Sequence, residues 1–122
     1  MKQALIVDDS RLTRKLVRRI MTRLEFEVSE AEDGSAALKH CQTHTPDVIL
    51  LDWNMPEMDG LEFLIHLRKL PRGGEPKVVF CTTENQRERI ESALSAGADE
   101  YVMKPFDEEI IKTKLEQVGF AL

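Results

Sequence analysis

Apolar residues fall along this chain in two alternating kinds of pattern. Four short unbroken runs, Ala4-Leu5-Ile6-Val7, Val48-Ile49-Leu50-Leu51, Val78-Val79-Phe80-Cys81 and Tyr101-Val102-Met103, are rich in β-branched residues and bounded by charge or proline. Runs of this length and content predict buried strands. A fifth run, Phe26-Glu27-Val28-Ser29-Glu30-Ala31, carries too much charge for a central strand and predicts an edge strand. Between the runs, apolar residues recur at helical spacing. The first helix starts near Ser10, a candidate N-cap, and sets Leu12, Leu16, Ile20 and Leu24 at i+4 with Val17 and Met21 alongside. Further helices are predicted near 35–44, 60–70 (Leu61, Phe63, Leu64, Leu67, Leu70), 86–96 (Ile90, Leu94) and 107–118 (Ile111, Leu115, Val118). Pro46 precedes a strand, Gly60 opens a helix, Pro71-Arg72-Gly73-Gly74 ends one, and Gly97 stands where a helix C-terminus needs glycine.

Strand and helix thus alternate five times. Parallel neighbours need a crossover, and crossovers are right-handed, so the order predicts a doubly wound α/β fold, (βα)5, with helices on both faces of a parallel sheet. All strands of such a sheet end at one edge, where ligands bind. The residues following the runs are therefore neighbours: Asp8 and Asp9, Asp52, Thr82 and Thr83, and Lys104. Three crowded carboxylates repel one another unless a cation holds them. All-oxygen donors without His or Cys point to a hard divalent ion, and the expectation is Mg²⁺. A metal, a lysine and a hydroxyl around one carboxylate are the parts of a phosphoryl-transfer site in which the carboxylate itself is the nucleophile. Asp52, on the middle run, is the best placed, and the product would be an aspartyl phosphate.

Composition narrows the picture. With 122 residues the chain has room for one domain, 1–122. Its 17 basic against 22 acidic residues, net −5, weigh against binding to nucleic acid. Cys41 and Cys81 are isolated thiols without a C-x-x-C pair, expected to be ordinary buried or half-buried residues of a reducing, cytoplasmic compartment. After Met1, Lys2 and Gln3 only four apolar residues precede Asp8, too few for a signal-peptide core or a membrane span.

Asp8-Asp9, the segment Asp52-Trp53-Asn54-Met55-Pro56-Glu57-Met58-Asp59-Gly60, Thr82 and Lys104-Pro105-Phe106 together resemble the receiver domain of two-component response regulators, over essentially the whole chain. Within that family the chain is most similar to stand-alone chemotaxis regulators of the CheY type, through its D-W-N-M-P segment and its end after a fifth helix. The resemblance implies a flavodoxin-like strand order of 2-1-3-4-5 and a single receiver domain without an output domain. It implies phosphorylation of Asp52 by a histidine kinase or histidine phosphotransferase, with Mg²⁺ held by Asp9, Asp52 and the Asn54 carbonyl and with Asp8 helping through water. Lys104 would contact the phosphoryl oxygens, Thr82 would move toward them, and Tyr101 would swing inward as a switch. The readout face would be built from the fourth helix, fifth strand and fifth helix. A cis Lys104-Pro105 bond is also implied, as is tuning of dephosphorylation by Asn54 and Glu84.

On this reading the chain is a signalling switch rather than an enzyme, with only self-phosphorylation and self-dephosphorylation chemistry of its own. A flagellar motor switch protein is the expected output partner; a phosphorelay intermediate or phosphate sink is the alternative. A monomer is expected, and Met1 with the short Gly119-Phe120-Ala121-Leu122 tail favours a complete protein. A haloacid-dehalogenase-like phosphatase would place a second Asp two residues beyond the nucleophile, where this chain has Asn54. A dinucleotide-binding module would want a Gly-rich loop after the first strand, where this chain is acidic. Arg11, Arg14, Lys15, Arg18, Arg19 and Arg23 occupy the polar side of the first helix; such faces are commonly just solvated, but in this family that helix docks the phosphodonor. Tyr101 also reads as a half-buried strand aromatic, and Trp53 as an exposed neighbour of the site. His40, His44 and His66 read as helix-surface residues without metal spacing and receive no role.

Overall fold

The computed structural model describes residues 1–83 and 87–122. Five strands alternate with five helices: β1 Gln3–Val7, α1 Arg11–Arg23, β2 Glu27–Ala31, α2 Gly34–Thr43, β3 Val48–Asp52, α3 Gly60–Arg68, β4 Lys77–Thr82, α4 Arg87–Ser95, β5 Glu100–Met103 and α5 Glu108–Gln117. The strands form one parallel sheet in the order β2-β1-β3-β4-β5. The charged run does form an edge strand. It pairs with β1 along its full length, Gln3 opposite Glu27 through Val7 opposite Ala31.

Alternation along the strands sorts the core into two layers. Ala4, Ile6, Val48, Leu50, Val79, Cys81 and Val102 face Val17 and Met21 of α1 and Ile111 and Leu115 of α5. Leu5, Val7, Ile49, Leu51, Val78 and Phe80 face Ala37 of α2, Phe63, Leu64 and Leu67 of α3, and Ala93 of α4. Helices on both faces explain why the inner strands read as continuous apolar runs instead of alternating ones.

Four of the helices, α1, α2, α3 and α5, start where a short polar side chain satisfies an orphan backbone N–H. Ser10 Oγ accepts from Thr13 N (3.2 Å), Asp33 Oδ1 from Ala36 N (2.7 Å), Asp59 Oδ1 from Glu62 N (2.9 Å) and Asp107 Oδ1 from Ile110 N (3.0 Å). After α4, Gly97 takes φ +109°, as its place at a helix end requires. Arg68, at the end of α3, donates to the carbonyls of Gly73, Pro76 and Gly97 and pairs with Asp99. One guanidinium thereby ties the α3–β4 connection to the α4–β5 turn.

Two helical faces differ from the sequence reading. Leu12 and Leu16 are exposed, 69% and 50%, because Val17 and Met21 take the sheet-facing position; of the i+4 stripe only Ile20 and Leu24 pack against the core. In α4 it is Ala93 that is buried, while Leu94 is exposed. The smaller side chain lets the helix lie close to the sheet.

Candidate active site at the carboxyl edge of the sheet

The tops of β1 and β3 carry the acidic residues. Asp8 is the first residue past β1, Asp52 ends β3, and both are buried, while Asp9 is exposed. Carboxylate oxygens of Asp8, Asp9 and Asp52 lie within 4.8 Å of one another. Lys104, one residue beyond β5, reaches across β4, and its Nζ donates to Asp8 Oδ2 at 3.1 Å and to Asp52 Oδ1 at 3.2 Å. Thr82 is buried at the end of β4, and its carbonyl accepts from Lys104 N at 2.9 Å. The strand ends thus bring Asp8, Asp9, Asp52, Thr82 and Lys104 to one edge. Asn54 is exposed in the loop beyond Asp52, and Thr83 is exposed beside Thr82. Glu84 lies outside the described residues.

The electrostatics follow from this crowding. Burial, then the neighbouring Asp8 charge, raise the Asp52 carboxyl above its ordinary value, and Lys104 only partly offsets them. Burial pulls Lys104 down, but Asp52 and Asp8 outweigh it and hold the ammonium above its usual range. Lys104 is therefore charged throughout the physiological range, and one ammonium faces three acids. Hard oxygen donors with a surplus of negative charge match a small divalent cation such as Mg²⁺ in donor chemistry. Among the described residues, no other group of three His, Cys, Asp or Glu side chains converges in this way.

Several supporting residues were invisible to pattern reading. Arg14 Nη1 donates to Asp8 O (2.7 Å), and Ser10 N donates to Asp8 Oδ1 (2.8 Å), so the start of α1 orients the first acid. Arg14 and Arg18 both pair with Glu30 on the edge strand, Arg14 at 3.0 Å. Two of the six basic residues on α1 are thus committed to the chain's own edge strand. Gly60 N donates to Trp53 O (2.8 Å), and a Cβ at Gly60 would stand 2.4 Å from Asp52 O. Only glycine lets α3 start so close to the strand that carries Asp52.

Trp53 is not exposed, as its sequence context suggested, but 5% accessible. Its ring packs on Phe80 with centroids 4.9 Å apart, and Arg89 of α4 lies over it at 5.5 Å. Tyr101 is half-buried in β5, two residues short of the strand end and outside the acidic cluster, with Lys114 Nζ 5.2 Å from its ring centre. The Lys104-Pro105 bond is cis. Both cysteines are ordinary residues, as expected: burial pushes the Cys41 thiol up to about 11 and the Cys81 thiol up to about 12. No described helix is long and apolar enough to cross a membrane.

Comparison with known proteins agrees with this geometry. The response regulator receiver domain family model matches residues 4–116. The chain is 38% identical over 116 residues to chemotaxis protein CheY1 of Helicobacter pylori, covering 93% of this chain and 94% of that protein. It is 36% identical over 118 residues to chemotaxis protein CheY of Halobacterium salinarum, covering 96% of each. The solved structure of Vibrio cholerae CheY4 superposes with a TM-score of 0.92 at 34% identity, covering 97% of this chain and 98% of that one. The receiver domain of a Pseudomonas aeruginosa sensor histidine kinase, which holds a magnesium ion in its active-site cleft, shares the fold with a TM-score of 0.85 at 22% identity, covering 98% of this chain and 100% of that one. A family model matched over residues 4–116, relatives 36–38% identical over nearly their whole length and a shared fold place this chain in the response regulator receiver domain family, among proteins of the CheY type.

Proposed function

We propose that this protein is a single-domain, cytoplasmic chemotaxis switch that accepts a phosphoryl group on Asp52. The observation that carries the reading is the Lys104 ammonium bridging Asp8 and Asp52 at 3.1 and 3.2 Å beside Asp9. An Asp52 oxygen attacks phosphorus of a phosphohistidine on a histidine kinase or phosphotransferase. The phosphorus–nitrogen bond breaks, and the imidazole leaves with the electron pair and takes up a proton. Lys104 is poised to follow the negative charge from the Asp52 carboxylate onto the phosphoryl oxygens, where positioned cations have their largest effect. Mg²⁺, when bound, would be held by Asp9, Asp52 and the Asn54 carbonyl, with Asp8 acting through water, and supplies the positive charge that the cluster lacks.

Thr82, buried at the end of the neighbouring strand, would hydrogen-bond the new phosphoryl group. Tyr101, half-buried on β5, would follow it inward and reshape the α4–β5–α5 face. New contacts to the phosphoryl group shift a two-state population in this way. Asn54 stands where a phosphatase of this chemistry would place a second acid, so on this reading the chain is a switch and not an enzyme. The chemotaxis names of its relatives support the flagellar motor switch as its output partner. A monomer suffices for this role.

The reading is tested by incubating the protein with acetyl phosphate and Mg²⁺ and measuring intact mass. One added phosphoryl group is expected, absent after chelation of Mg²⁺ and absent in Asp52→Asn. Labelling of the variant to the wild-type extent overturns the assignment.

A further inference from the structure

The carboxyl edge of the sheet carries oxygen donors for a hard cation; the opposite edge carries a nitrogen pair. His40 sits in the last turn of α2, and His44 is its C-cap, four residues on. Residues at i and i+4 share a helix face, and here the two rings stack with centroids 4.5 Å apart and planes 11° from parallel. The spacing that looked uninformative in the sequence therefore places two imidazoles side by side.

Three features suit this pair to a cation. The first is which nitrogen is left open. Thr43 Oγ1 donates to His40 O (3.4 Å) and stands 2.9 Å from His44 Nδ1. In the tautomer that carries its proton on Nδ1, His44 donates to the Thr43 hydroxyl and keeps its Nε2 lone pair open to a cation. Fixing one ring nitrogen through a hydrogen bond is how metal-binding imidazoles are held in the required tautomer. The second is reach. Two nitrogens bound at about 2.0–2.1 Å from one metal lie about 3 Å apart, and stacked rings come to that separation by tilting about the soft bond between Cβ and the ring. The third is the field. The pair ends a helix, where the unpaired carbonyls concentrate partial negative charge and favour a cation.

We propose that His40 and His44 form a two-imidazole chelate for a borderline divalent cation of the Zn²⁺ or Ni²⁺ kind. Imidazole nitrogen selects such ions over Mg²⁺, which prefers oxygen. α2 runs from the carboxyl edge back toward the start of β3, so this site lies at the opposite edge from Asp8, Asp9 and Asp52. The two sites differ in both place and ligand chemistry. Water completes the coordination sphere.

The test is a Zn²⁺ titration of the full chain in excess Mg²⁺ near neutral pH, where histidine is mostly neutral. Imidazole resonances are followed by NMR and affinity by calorimetry. The proposal predicts one Zn²⁺ per chain, with His40 and His44 shifting together and His66 unmoved. His44→Ala removes the chelate and is expected to weaken binding by about 100-fold, the loss of an intramolecular second ligand. Thr43→Val keeps both rings but frees the His44 tautomer, and a loss of roughly 10-fold is expected. His66→Ala should match the wild type. Equal affinity of the wild type and His44→Ala overturns the proposal, as does Zn²⁺ uptake that disappears in Asp52→Asn while the two histidine resonances stay unmoved.

Discussion

Replacing Asp52 by Asn measures how far the acidic cluster is held together against its own repulsion. Lys104 Nζ stands 3.2 Å from Asp52, an attraction of about 5 kcal/mol at an effective dielectric of about 20. Asp8 and Asp9 have oxygens within 4.8 Å of it, and a pair of like charges at that range costs about 3.5 kcal/mol in the same medium. Asp9 is exposed, so solvent screens its share. Attraction and repulsion therefore nearly cancel, and the cost of burying the Asp52 charge decides the sign. That balance agrees with a carboxyl raised by burial first and by Asp8 second. Asn fills the same volume, still accepts from Lys104 and carries no charge. We expect Asp52→Asn to stabilise the Mg²⁺-free protein by about 1–2 kcal/mol, a rise in Tm of roughly 3–10 °C for a chain of this size. The pH dependence has a definite sign. Because the folded carboxyl titrates above its unfolded value, native protein holds the extra proton, and wild-type stability falls as pH rises from the ordinary Asp range through the folded pKa. The gap between variant and wild type should widen over that window and then level off. Mg²⁺ should close it, since a ligand at ten times its Kd stabilises the native state by about 1.4 kcal/mol. Urea denaturation in EDTA and in Mg²⁺, across that window, makes the comparison. A variant equally or less stable than the wild type in EDTA at neutral pH refutes the electrostatic account.

Other substitutions probe the supports of the site. Gly60→Ala drives a Cβ to 2.4 Å from Asp52 O and 2.7 Å from the Phe80 ring; a loss of about 1–3 kcal/mol in urea denaturation and slower labelling by acetyl phosphate are expected together. Arg68→Met strips the carbonyls of Gly73, Pro76 and Gly97 of their donor, and should cost about 2–4 kcal/mol while the folded protein is labelled at the wild-type rate, since α3 ends at the far edge of the sheet. On α1, Lys15 and Arg19 are exposed, and no ion pair involves them among the described residues. Lys15→Glu with Arg19→Glu should therefore slow phosphotransfer from a histidine kinase and leave acetyl phosphate labelling intact. Equal transfer rates would remove this face from the docking surface.

What the sequence could and could not reveal follows from the range of the interactions involved. Strand identity and the convergence of Asp8, Asp52, Thr82 and Lys104 were legible because a parallel sheet puts every strand end at one edge, so local runs imply a non-local meeting. The facing of α1 was not. Its sequence carries two adjacent apolar stripes, and nothing local says that Val17 and Met21, not Leu12 and Leu16, meet the sheet. The burial of Trp53 depends on Arg89 and Phe80, which arrive from other elements. Arg14 and Arg18 looked free for a partner because their acceptor, Glu30, becomes a neighbour only once β2 pairs with β1. Likewise, the stacking of His40 on His44 required the helix to continue through residue 43 before ending.

The central claim is that, of the three clustered acids, Asp52 is the one that carries the phosphoryl group. Borohydride reduces an acyl phosphate to an alcohol, so treating the acetyl phosphate–labelled protein and mapping its peptides records which carboxyl had been phosphorylated. The account predicts homoserine at position 52, with Asp8 and Asp9 unchanged. Homoserine at 8 or 9, with residue 52 still aspartate, would contradict it.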